Sequence, residues 1–81
     1  MQKPVNYYPE ADVLYVTLAD HPVARTEPLD DLRLIDYSQD GAVVGIEFIG
    51  ASGGVDPVAV PFAHRVEELI GDSGLPLNIF A

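Results

Sequence analysis

The chain has 81 residues and no cysteine, which indicates one small domain and excludes disulfides, thiol catalysis and Cys-based zinc sites. Thirteen acidic residues against four basic ones give a net charge of −9, which disfavours nucleic-acid binding and favours a basic protein partner. The sequence shows neither an export signal nor an apolar run long enough for a membrane helix, so we expect a cytoplasmic protein.

Four β-strands are predicted in the first part of the chain, because runs of β-branched and aromatic residues alternate with turn residues. They span residues 5–8, 13–19, 32–37 and 42–49. The intervening residues 23–31 contain Pro28 and several acidic residues, so we expect a loop or a ragged sheet edge there. Strand 13–19 is largely apolar on both faces, which indicates a covered central strand or a second face that meets a partner.

A helix is predicted over residues 61–71, with Pro61 in its first turn and an apolar stripe along one face. The stripe consists of Phe62, Val66, Leu69 and Ile70. Residues 75–81 form an apolar tail that we expect to pack on the sheet or on a partner. The sequence therefore predicts an α+β fold in a single domain, residues 1–81, with a four-stranded antiparallel β-meander over 5–49 followed by one C-terminal helix.

Residues 36–47, DYSQDGAVVGIE, match the ligand spacing of an EF-hand calcium loop. The matching residues are Asp36, Ser38, Asp40, Gly41 and Glu47. An EF-hand needs a helix on each side of its loop, whereas both flanks here are β-like. Asp-Gly between two β-like runs instead indicates a hairpin turn. A weak cation site held by Asp36, Ser38 and Asp40 stays open as an alternative.

Two histidines, His21 and His64, could form a metal site only if a carboxylate joined them. His64 precedes Glu68 by about one helical turn, so a pair on the helix surface is favoured. The sequence shows no nucleophile motif and no phosphate-binding loop. We therefore assign no catalytic, cofactor-binding or metal-binding residues, and we expect no enzymatic activity and no cofactor.

Two segments of the chain, YYPEADVLYVTLAD and DLRLIDYSQDGAVVGIEFIGAS, resemble the DUF2283 family of small prokaryotic proteins of unknown function. The resemblance covers residues 6–52. The matching positions are Tyr8, Asp12, Leu14, Tyr15, Asp36, Asp40, Gly41, Gly45, Ile46 and Glu47. It implies a small antiparallel β-sheet protein with no established catalytic residues or cofactor. It also implies, by association, an antitoxin-like partner encoded beside a small basic protein.

One short helix cannot cover both apolar faces of the predicted sheet, and the apolar content of 48% is high for one small core. We therefore expect a non-enzymatic protein-interaction module that forms a homodimer across its uncovered face or binds a basic protein. The alternative is a small-molecule or divalent-cation-binding protein that uses Asp36, Asp40 and Glu47. Neither nucleic acid nor a membrane is an expected partner.

Overall fold

The computed structural model describes residues 3–80, and in this part of the chain five β-strands form one antiparallel sheet. The strands are β1 (Val5–Tyr8), β2 (Val13–Thr17), β3 (Arg25–Pro28), β4 (Arg33–Tyr37) and β5 (Val43–Ile49). Their order across the sheet is β1-β2-β5-β4-β3. A hairpin, β1–β2, therefore joins a three-stranded unit, β3–β4–β5, along the pairing of β2 with β5.

The α+β class with one C-terminal helix is confirmed, but the predicted number of strands is wrong. Residues 23–31 contain β3, which pairs with β4 although all four of its side chains are exposed. Pro28 suits this outer strand because a sheet edge tolerates a residue that cannot donate to the ladder. The simple meander also fails, because β5 returns to the centre of the sheet beside β2.

One face of the sheet forms the hydrophobic core with the C-terminal part of the chain. Its buried strand residues are Val5, Leu14, Val16, Ile46 and Phe48. A short 3-10 helix, Ala51–Gly53, the helix α1 (Ala63–Asp72) and the segment between them cover this face. They contribute Ala51, Val55, Val60, Val66 and Ile70. Burial of each large aliphatic or aromatic side chain stabilises the fold by roughly 1.5–3 kcal/mol.

The helix α1 begins later than predicted because Phe62 is its N-cap residue and not part of its buried stripe. Phe62 has a left-handed backbone, with φ of 56°, and its side chain is 64% exposed. Val66 and Ile70 do face the core as predicted. No described helix is long and apolar enough to span a bilayer.

The described part of the tail, residues 75–80, packs on its own chain. Val55 donates its N–H to the carbonyl of Asn78 and accepts from the N–H of Phe80, each at 2.8 Å. Leu75, Leu77 and Ile79 pack against the core. Residues 1, 2 and 81 of the predicted domain lie outside the described residues.

Candidate functional site

The second face of the sheet carries no covering element within residues 3–80, because the two helices and the tail pack on the first face. We call this second face the open face. The strand registers place on it Asn6, Tyr8, Val13, Tyr15, Thr17, Thr26, Pro28, Leu34, Asp36, Gly45, Glu47 and Ile49. Several of these side chains are apolar and only half-buried. The open face therefore leaves several apolar side chains without a covering layer within residues 3–80.

A line of hydrogen bonds crosses the centre of the open face. The hydroxyl of Tyr15 in β2 donates to Oδ2 of Asp36 in β4 at 2.7 Å, so its side chain spans the intervening strand β5. The hydroxyl of Thr26 in β3 donates to Oδ1 of Asp36 at 2.5 Å. Both oxygens of this carboxylate are thus engaged, and four neighbouring strands are tied together.

Gly45 makes this reach possible. A Cβ atom at this position would lie 2.6 Å from Cζ of Tyr15 and 2.7 Å from the carbonyl oxygen of Val16. The tip of the Tyr15 ring therefore lies over the backbone of β5 instead of standing away from the sheet. Glycine is required here for space, because its backbone does not have a positive φ.

The charged side chains of the open face are all acidic. Burial, the hydrogen bond to Asp36 and the charges of Asp36 and Glu47 raise the pKa of Tyr15 above its ordinary value. Glu47 is half-buried opposite Tyr15, and its carboxylate makes no hydrogen bond or ion pair with any described residue. The open face therefore presents two carboxylates, those of Asp36 and Glu47.

None of the four basic residues lies on the open face. Arg25 and Arg33 belong to the opposite face of β3 and β4, where Arg25 stacks over the Tyr37 ring at 4.5 Å. Arg33 pairs with Asp30 and donates to the backbone of the segment before α1. Lys3 lies beside the end of α1 and Arg65 is on that helix. The charge of the open face is therefore not neutralised by the four basic side chains, all of which lie within residues 3–80.

The three carboxylates of the cation-binding alternative do not come together. Asp36 and Glu47 lie on the open face, whereas Asp40 lies in the β4–β5 turn and accepts a hydrogen bond from the Ser38 hydroxyl. This bond lowers the pKa of Asp40. Within residues 3–80, no three His, Asp or Glu side chains group closely enough to hold a metal ion.

The predicted hairpin turn is confirmed. Ser38 donates its N–H to the carbonyl of Ala42 at 2.9 Å, and Gly41 adopts a φ of 89° at the tip. Strands β4 and β5 flank the turn in place of the two helices of an EF-hand. Ser38 supplies the side-chain contacts that stabilise the turn, whereas the side chain of Asp36 points to Tyr15 and Thr26.

The two histidines lie apart from the open face. His64 is 91% exposed and approaches Glu67 and Glu68 to 3.9 and 4.0 Å, which fits a helix-surface pair. His21 lies in an exposed loop and, with Asp40 and its neighbours, lines an open groove of about 690 Å³. Among residues 3–80, neither histidine belongs to a group of three potential metal ligands.

The sequence did not reveal a second polar cluster around Asp12. This carboxylate accepts from the Tyr7 hydroxyl at 2.7 Å, from the Ser52 hydroxyl at 2.6 Å and from the Ser52 N–H at 2.8 Å. These bonds, led by that of the Ser52 hydroxyl, lower the pKa of Asp12. The cluster joins the β1–β2 turn to the 3-10 helix, and only the β2–β5 register, which no local pattern encodes, brings the two segments together.

A family model, described as the protein of unknown function DUF2283, matches residues 5–52 and confirms the resemblance. No match was found for the chain among curated proteins or among solved structures. The matched region contains all five described strands, and therefore the whole open face, whereas α1 and the tail lie outside it.

Proposed function

The chain belongs to the DUF2283 family of proteins of unknown function, and from this premise we propose that it is a non-enzymatic interaction module whose open face docks a basic protein. The observation that carries the proposal is a sheet face of mixed polarity that nothing in residues 3–80 covers, on which half-buried apolar side chains stand beside carboxylates without cations. Exposed apolar surface of this kind is typical of interaction sites. Docking would remove the half-buried side chains of Leu34 and Ile49 from water.

The absence of an enzymatic role is supported by the chemistry of the open face. Tyr15 has a raised pKa and donates to Asp36, whose two oxygens each already accept a hydrogen bond. Catalysis by a carboxylate needs a group that is poised to exchange a proton and a pocket that excludes water. The open face offers a broad surface instead.

A partner is more easily placed on the face of the sheet than along its edges. Pro4 and Pro9 bracket the edge strand β1, and Pro28 ends the opposite edge strand β3. Proline interrupts the backbone pairing on which the addition of a further strand depends. These edges therefore disfavour recognition by strand addition.

Charge favours a basic partner over a second copy of this chain. A two-fold contact through the open face would place Asp36 and Glu47 near their own copies, between molecules that each carry a net charge of −9. A basic protein would instead pair with these carboxylates, as an antitoxin-like module beside a small basic protein would require. A homodimer across the open face is the competing arrangement.

The test immobilises three proteins, the wild-type chain, Glu47→Lys and Glu68→Lys, and compares which proteins each captures from a native lysate. Glu68→Lys is the control, because it makes the same charge change on the exposed surface of α1. A basic protein identified by mass spectrometry should bind the wild type and Glu68→Lys but not Glu47→Lys. Calorimetry with that purified protein should show an affinity that falls as the salt concentration rises.

Sedimentation of the chain alone completes the experiment. We expect a monomer at micromolar concentration. A dimer that dissociates when Glu47→Lys is introduced would assign the open face to a second copy and contradict the proposal. Equal capture of the basic protein by Glu47→Lys and Glu68→Lys would also contradict it.

A further inference from the structure

The tip of the Tyr15 side chain is held against the sheet. Its tip lies over Gly45, where the backbone approaches within the space that a Cβ atom would occupy, and its hydroxyl is fixed by Asp36 at 2.7 Å. The Tyr15 side chain is only half-buried, so part of its ring stays accessible to a docking partner. An accessible aromatic ring attracts a cation over its face, and a planar guanidinium can stack on it.

Glu47 supplies a carboxylate next to this ring. The register pairs Tyr15 directly with Glu47, which places their Cβ atoms about 5 Å apart on the same face. Within residues 3–80 the Glu47 carboxylate has no hydrogen-bonding or ionic partner, although its side chain is half-buried. A charge that is partly removed from water and unpaired is stabilised when a partner brings the opposite charge.

The apolar neighbours of Glu47 can pack against the methylene groups of a long basic side chain. Leu34 lies opposite Glu47 on β4, and Ile49 follows on the same face of β5. Both are half-buried apolar side chains, on which the methylene groups of a basic residue can lie. A guanidinium can stack on the Tyr15 ring and pair with a carboxylate at the same time, whereas an ammonium is a compact point charge.

We propose that the open face holds an arginine side chain of the partner, stacked on the Tyr15 ring and paired with the Glu47 carboxylate. This arginine seat, formed by Tyr15, Glu47, Leu34 and Ile49, rests on the proposed function and specifies which basic residue that function recognises. Asp36 fixes the Tyr15 hydroxyl, and it adds negative charge without contacting the arginine directly.

The test uses three short peptides, acetyl-Gly-Arg-Gly-amide and its analogues with lysine or citrulline at the central position. Backbone-amide NMR spectra of the full chain should show saturable shifts at Tyr15, Gly45 and Glu47 with the arginine peptide. We expect about threefold weaker binding of the lysine peptide and no saturable shift with uncharged citrulline, which has nearly the shape of arginine.

Two variants separate the contributions of the ring and the charge. Glu47→Gln should abolish the shifts, whereas Glu68→Gln, which removes one carboxylate from α1, should leave them unchanged. Tyr15→Leu should remove the preference for arginine over lysine while weak binding of both peptides persists. The amide spectrum of each variant without peptide reports whether the fold is intact, and Glu47→Gln disturbs no hydrogen bond of the described chain.

The outcomes distinguish this inference from the proposed function. Equal binding of the arginine and lysine peptides, shifts centred away from the open face, or no shift at all would overturn the arginine seat. Capture of the basic partner could still depend on Glu47, in which case the docking function would survive without the seat. If capture of the basic partner did not depend on Glu47, the proposed docking function would be contradicted as well.

Discussion

Gly45 and Tyr15 form one structural unit, because the missing side chain of the first creates the space that the second occupies. The ring tip and the Val16 carbonyl both approach Gly45 more closely than a Cβ atom would allow. The ring could move aside, but the carbonyl belongs to the backbone of β2 and is fixed by the sheet. A larger residue at position 45 would therefore disturb both the open face and the pairing of β2 with β5.

Gly45→Ala is expected to destabilise the chain by about 1–3 kcal/mol, as overpacking in a well-ordered site does. It should also displace the Tyr15 ring and break its hydrogen bond to Asp36. Urea denaturation measures the first effect, and the amide shifts of β2 and β4 report the second.

Gly71→Ala is the matched control, since it makes the same substitution in the exposed last turn of α1, where nothing lies within 4 Å of an added Cβ. It should stabilise the chain by about 0.5–1 kcal/mol, because alanine favours a helix over glycine. A Gly45→Ala protein as stable as the wild type would show that the ring does not lie over position 45.

For individual residues, the sequence predicted which side chains share a face of a strand but not which side chains contact each other. The alternation of residues 13–17 places Leu14 and Val16 on the core face of β2 and Tyr15 on its other face. Its bond to Asp36 depends on β2 pairing with β5, which is a non-local arrangement that no turn signal encodes. The contact of Asp12 with Ser52 escapes prediction for the same reason.

At the start of α1, Phe62 adopts a backbone conformation that its residue type disfavours. Phe62 combines a bulky side chain with a left-handed backbone, which costs an L-residue roughly 1–2 kcal/mol. No side chain caps the helix at this end. The predicted stripe assumed that Phe62 was helical, and the reversal of its φ turns its side chain toward solvent.

Phe62→Asn should stabilise the chain by about 1 kcal/mol, because asparagine tolerates the left-handed region and little packing is lost from a side chain that is 64% exposed. Thermal or urea unfolding measures the effect. Val58→Asn serves as the control, since Val58 is 61% exposed but lacks a positive φ, and its stability should change by less than about 0.5 kcal/mol. A clear loss of stability in Phe62→Asn would contradict the assignment of strain to this residue.

The predictability of each element follows from its burial pattern. Strands β1, β2, β4 and β5 were predicted because buried and half-buried residues give them β-branched and aromatic character. Strand β3 was missed because its sequence, RTEP, is exposed throughout and shows no apolar alternation. Its pairing with β4 depends on the backbone ladder and on two contacts between polar or charged side chains and β4, Thr26 with Asp36 and Arg25 with Tyr37, none of which leaves an apolar pattern in the sequence.

For the molecule as a whole, carboxylates with hydrogen-bonding partners couple stability to pH. The pKa values of Asp12, Asp30 and Asp40 are lowered, chiefly by hydrogen bonds from Ser52, Arg33 and Ser38 respectively. The folded chain therefore binds fewer protons than the unfolded chain near the ordinary carboxyl pKa. Their stabilisation is complete above that pKa and is lost as the pH falls through the lower folded values.

The free energy of unfolding should accordingly decrease as the pH is lowered below ~4, the ordinary range of an aspartate. Asp12→Asn should show a shallower decrease, because one group with a lowered pKa no longer titrates. Urea unfolding at a series of pH values measures the slope. Ser52→Ala should act in the same direction, since it removes the hydroxyl that contributes most to the lowered pKa of Asp12; slopes equal to that of the wild type in both variants would contradict the assignment.

The strand order has a kinetic consequence. Within the described chain, β1 pairs with β2, and β3 and β4 with their successors, so these contacts close short loops that form rapidly. The pairing of Val13 with Ile49 must instead close a loop that contains the whole of β3 and β4. We therefore expect the pairing of β2 with β5 to set the folding rate of the domain. The contacts of Tyr15 with Asp36 and of Asp12 with Ser52 both depend on this pairing.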